Sequence, residues 1–129
     1  MRKLTFALSA IYLAAVGLGL MLVPLQFGVG AVPVNASPEL VALLRLLVGP
    51  FLGIAVLNWL SRDAEPSPAL RSIIFANLIG FGAVAANDVW GVASGEAREI
   101  AKAFLVVHLA FTLAFAAAAR AMWRHTEGR

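Results

Sequence analysis

The chain has 129 residues, 61% of them hydrophobic and 13% charged, with a mean hydropathy of +0.88. Water-soluble domains run at roughly 45–50% apolar and about 25% charged, so this composition belongs to a membrane protein, and the length suits one domain over residues 1–129. The formal charge of +3 sits at the ends of apolar runs, as membrane insertion selects, which argues against a nucleic-acid partner. With no cysteine and two histidines, the chain has no disulfide frame, no thiolate nucleophile and too few ligands for a metal; no cofactor is expected.

Four apolar runs follow one another: Leu4 to Val23, Leu40 to Leu60, Leu70 to about Trp90, and Ile100 to about Ala119, the last helix being taken over residues 98–120. Each approaches the ~20 residues that cross a ~30 Å hydrocarbon core at 1.5 Å rise. Lipid offers a bare backbone no hydrogen-bond partner, and continuous apolarity excludes a membrane barrel, so the runs are helices. The expected fold is all-α: a polytopic membrane protein forming an antiparallel bundle of four transmembrane helices.

Met1-Arg2-Lys3 followed by an apolar run also resembles a secretory signal, with Val34-Asn35-Ala36 as a small-residue cleavage site. The run is longer than the ~7–15 residues of a signal core, so a retained helix is expected. Pro24, Gly28, Gly30, Pro33 and Pro38 break the chain before the second helix, and the nearly uncharged loop between suits the membrane surface. The second connection, SRDAEPSPALR, is short and charged, with Ser61 or Ser67 available as a cap. In the third, Ser94 reads as an N-cap, with Glu96 and Glu99 in the first turns.

Arg2, Lys3, Arg62, Arg71, Arg120, Arg124 and Arg129 fall on one side of the spans, and only Arg98 and Lys102, among Glu96 and Glu99, on the other. This places both termini in the cytoplasm. Trp59, Trp90 and Trp123 sit at helix ends, where an amphipathic ring favours the headgroup level.

Close packing between membrane helices needs small residues. Gly49 and Gly53 form a GxxxG pair; Ala76/Gly80 and Gly82/Ala86 form small pairs on the third helix; Ala110, Ala114 and Ala118 form a seam on the fourth. Ala10, Ala14, Gly17 and Gly19 serve the first. Pro50 removes a backbone donor and frees the Leu46 carbonyl, which predicts a bend.

Polar residues inside the spans mark a candidate ligand site of Arg45, Asn77, Asp88 and His108. Counting inward puts Arg45, Asp88 and His108 in the outer half, and Asn77 near the midplane with Tyr12 and Thr112. Asn77, Phe81, Val84 and Asp88 recur at helical spacing, as do Phe104, His108, Phe111, Thr112 and Phe115. If these faces meet, they line a polar, aromatic-walled pocket. Arg45 either snorkels, pairs with Asp88 or binds a ligand; His108 is a proton-relay or ligand group, or a neutral interhelical partner. Asn77 reads as interhelical glue, and Asn58 as a second such group reaching Ser72 or the headgroups. His125 lies in the tail, a membrane thickness from His108. No nucleophile elbow, HExxH or phosphate-binding glycine loop is present, so catalytic residues are not assigned.

The stretch LLRLLVGPFLGIAVLNWLSRD, with Arg45 early in the second helix and Gly49 and Gly53 after it, resembles the small bacterial four-helix membrane proteins of the DoxX-like type and related families of unknown function. Pro50 is outside that pattern. The resemblance implies a bacterial inner-membrane location and, for some members, a link with quinone or thiol redox systems; without cysteine a thiol role does not carry over, and only Arg45 transfers as a polar-site residue. Three functions follow: a non-enzymatic packing or partner-binding module, possible as a homo-oligomer; a binder of a quinone or lipid in the outer half; or a small oligomeric proton-coupled transporter using Asp88 and His108.

Overall fold

A computed structural model describes the backbone of residues 1–127 and the side chains to Arg124, so Arg129 and the side chain of His125 lie outside the described residues. The described chain is helical: α1 (Arg2–Leu22), α2 (Pro24–Phe27), α3 (Pro38–Leu46), α4 (Val48–Ser61), α5 (Pro68–Ser94) and α6 (Ala101–Glu127). Four stretches are long and apolar enough to cross a membrane: Arg2–Leu22, Pro38–Ser61, Pro68–Ser94 and Ala101–Arg124. These are the four runs expected from hydropathy, and the fold is that of an all-α, multi-pass membrane protein. Leucines, valines and isoleucines stand open along every span, among them Ile11 at 59%, Leu46 at 72%, Ile79 at 68% and Leu113 at 70% exposure. Lipid-facing surface has this character; water-facing surface does not.

The chain falls into two compact units, Phe6–Leu60 and Met1–Thr5 with Ser61–Arg129. In the first, α1 runs antiparallel to α4. They meet closely at Gly17, where an added Cβ would lie 3.0 Å from Phe51 Cβ. Near the other end Asn58, fully buried, donates its amide to Ser9 Oγ at 3.0 Å, while Ser9 donates to the Phe6 carbonyl. The expected partners of Asn58, Ser72 or the headgroups, are replaced by a serine that its small size and apolar neighbours hid in the sequence.

The second span is broken. Ser37 caps α3 by accepting from Leu40 N, with Pro38 in the first turn, where a missing donor costs nothing. The helix tightens at Leu47, whose N–H reaches Leu44 O, and resumes at Val48. Pro50 therefore sits in the first turn of α4 and opens it, where a bend inside one continuous helix was expected.

In the other unit α5 and α6 form an antiparallel hairpin. Ser67 caps α5 as expected, accepting from Leu70 N at 3.1 Å. Leu70, Ile74, Asn77, Phe81 and Ala85 make its buried face; Val84, expected on that stripe, is 44% exposed. Phe81 stacks on Phe111 and Phe115 with centroids 4.7 and 5.8 Å away, and Phe75 meets Trp123 edge-on. Ser94 is the last residue of α5 rather than a cap for α6. Gly95, at φ 76°, takes the left-handed conformation that ends the helix, which leaves Glu96 and Glu99 in the link. In the α4–α5 connection Asp63 accepts from Lys3 Nζ at 2.7 Å and from Arg62 Nε at 3.3 Å. The Lys3 hydrogen bond holds the exposed Asp63 carboxyl below its ordinary range.

Candidate functional site

The α5–α6 hairpin brings two ionisable side chains together inside the apolar spans. Asp88 Oδ2 and His108 Nδ1 lie 2.5 Å apart, with side chains 15% and 11% exposed. Their meeting follows from helix lengths. Asp88 lies six residues before Ser94 and His108 seven after Ala101, so the antiparallel strokes of the hairpin bring both to one level. Asp88 continues the buried stripe of α5 at the spacing 81, 85, 88, while His108 lies about one, two and four helical turns before Phe111, Phe115 and Met122.

The ring nitrogen and the carboxylate oxygen are at hydrogen-bond distance, the nitrogen donating in the tautomer that carries its proton. With the proton on Nδ1, the carboxylate orients the ring and leaves Nε2 as its second polar atom. Aromatic rings frame the pair: Phe104 lies nearly parallel to the imidazole at 6.3 Å between centroids, and Phe81 is tilted against it at the same distance. Thr112 does not join the pair; its hydroxyl donates to the His108 carbonyl at 2.7 Å, within α6.

Of the other expected site residues, Asn77 lies in the same unit but apart from the pair, and Arg45 belongs to the other unit. Asn77 shares the buried stripe of α5 with Asp88, but eleven residues or about 16 Å of helix separate them. Its amide donates to the Ile73 carbonyl one turn back. Arg45 is exposed in the last turn of α3, where a cation meets the negative end of the helix dipole. Among the described residues no group of three or more His, Cys, Asp or Glu is placed to hold a metal.

The predicted packing residues divide. Gly49, Gly53 and Gly80 open on to empty space, with no heavy atom within 4 Å of an added Cβ. Ala110 is exposed, and Ala114 is half-buried. Gly17 and Gly19, named for the first helix, do face close neighbours: an added Cβ would lie 3.0 Å from Phe51 Cβ and 2.5 Å from the Phe27 ring. Comparison with protein-family models, with curated proteins and with solved structures gave no match.

Proposed function

We propose that this protein is a non-enzymatic, multi-pass protein of a bacterial inner membrane that binds a small amphipathic molecule with an exchangeable hydroxyl proton, of the quinol class, at Asp88 and His108. The observation that carries this reading is the 2.5 Å carboxylate–imidazole pair inside two apolar helices, framed by phenylalanines. Ionisable groups inside apolar spans are rare and face the bundle interior or a polar cavity, so a carboxylate–imidazole pair there is a candidate working position. Imidazole accepts a phenolic proton, the carboxylate stabilises the resulting cation, and aromatic rings offer flat apolar contact. The resemblance of the Arg45–Gly53 stretch to DoxX-like proteins points the same way.

The test uses the purified protein and decylubiquinol. The quinol is expected to raise the melting temperature of the wild-type protein and to quench tryptophan emission, since Trp90 lies two residues from Asp88. Asp88→Asn and His108→Gln should remove both effects while keeping helix content. Equal binding by wild-type and both variants sinks the assignment.

A second reading, a partner-binding module, is favoured by the open glycines Gly49, Gly53 and Gly80, which leave backbone accessible to another helix. Crosslinking in membranes through single cysteines introduced beside these glycines separates it from the first: a defined crosslinked pair that survives Asp88→Asn supports it, and its absence removes it.

A further inference from the structure

The quinol reading uses the Asp88 end of the hairpin and leaves a cavity at the opposite end unexplained. It has a volume of about 190 Å³ and is lined by Arg2, Thr5, Pro66 and the small side chains of Ala114, Ala117 and Ala121 on α6. An apolar cavity of about 150 Å³ is enough to take up benzene, so this one has room for the end of a hydrocarbon chain. Alanines spaced at one helical repeat make the wall. Met1 and Met122 close the lining beside them.

The charge at this cavity is unbalanced. Arg2 donates to the Ala64 carbonyl at 2.7 Å and makes a long contact with Met122 Sδ at 4.0 Å, both neutral partners. Asp63, in the same connection as Ala64, is shared by Lys3 and Arg62. Arg71, in the first turn of α5 at the same end of the hairpin, has a buried Nε with no hydrogen-bond partner. It is also a cation at the positive end of a helix dipole. Arg120 and Arg124 stand at this end too; against the cations the sequence sets Asp63, Glu65 and Glu127.

We infer that the cavity seats an anionic phospholipid, its phosphate on the Arg2 guanidinium and one acyl chain against the alanine wall of α6. The fork of an arginine matches two phosphate oxygens, and Arg2 stands at the very start of a span, the level of lipid headgroups. A guanidinium beside a wall of methyl groups is complementary to a molecule that is anionic at one end and hydrocarbon at the other. A free phosphate uses only half of these contacts.

The experiment is native mass spectrometry of the full chain released from mixed micelles holding equal phosphatidylglycerol and phosphatidylcholine. One basic group near an anionic lipid surface contributes about 1 kcal/mol, so wild-type protein should retain phosphatidylglycerol about fivefold over phosphatidylcholine. Arg2→Gln should bring the two lipids to parity. Arg124→Gln, an equal charge change outside the cavity, should leave the preference intact, and Ala117→Phe, which fills the cavity without touching Arg2, should abolish it. Equal retention of both lipids by wild-type protein overturns the inference. So does an equal loss from Arg2→Gln and Arg124→Gln, which would mean diffuse surface charge, or displacement of the lipid by glycerol 3-phosphate at the same concentration, which would mean a headgroup site alone. Should Ala117→Phe fail to fold, the Arg2 and Arg124 comparison decides by itself.

Discussion

At the scale of single residues, hydrogen bonds between side chains hold each unit of this protein together at one chosen point. Asn58 and Ser9 are both fully buried, and the amide has the hydroxyl as an acceptor on the facing helix. Hydrogen bonds between membrane helices average about 0.6 kcal/mol and reach about 1.7. Asn58→Ala should therefore destabilise the protein by about 1 kcal/mol. Ser9→Ala should cost a similar amount, because it leaves the Asn58 amide short of an acceptor, and the double variant should cost less than the two together. Unfolding in mixed micelles measures all three, and strict additivity would show that the contact contributes nothing. Asp88 and His108 hold α5 to α6 in the same manner, with the difference that both partners can exchange a proton.

Among the helical elements, glycine position matters more than glycine pattern. Gly17 meets Phe51 so closely that a leucine there has no room, whereas Gly80 faces open space. Gly17→Leu should destabilise the α1–α4 pair by about 1–3 kcal/mol, in the range of other overpacked sites. Gly80→Ala should be neutral or stabilising by up to about 1 kcal/mol through helix propensity. Thermal unfolding of the two variants, compared with wild type, reads the difference; equal loss at both positions contradicts the assigned faces. Helix ends carry their own signals. Gly95 stops α5 at a positive φ, and Gly95→Ala should cost about 1 kcal/mol, because a Cβ is strained in the left-handed region. Pro50 is harmless where it stands, since the first turn of α4 needs no donor from it.

For the whole molecule, four spans return the chain to the side on which it began. The proposed orientation puts that side in the cytoplasm, with the basic cavity facing the leaflet richer in anionic lipid. The absence of native cysteine makes this direct to measure. A single cysteine at Ser37 should react with a membrane-impermeant maleimide in intact cells, and one at Glu65 only after permeabilisation. The reverse pattern inverts the protein and moves the lipid site to the other leaflet.

Hydropathy alone determined the number and approximate bounds of the spans, because burial in lipid is a requirement each helix meets by itself. Local chemistry likewise made the Ser67 cap readable, since cap and partner are three residues apart. Depth counting brought Asp88 and His108 to the same half of the membrane, close to what the hairpin shows. The partners themselves were decided only in three dimensions. That Asn58 finds Ser9, that Asp88 and His108 meet directly, and that Gly17 is in contact while Gly49 is open all depend on the register and rotation of antiparallel helices. Those are set by side-chain packing summed over a whole interface, and in spans apolar on nearly every face no periodic stripe announces which side will be covered.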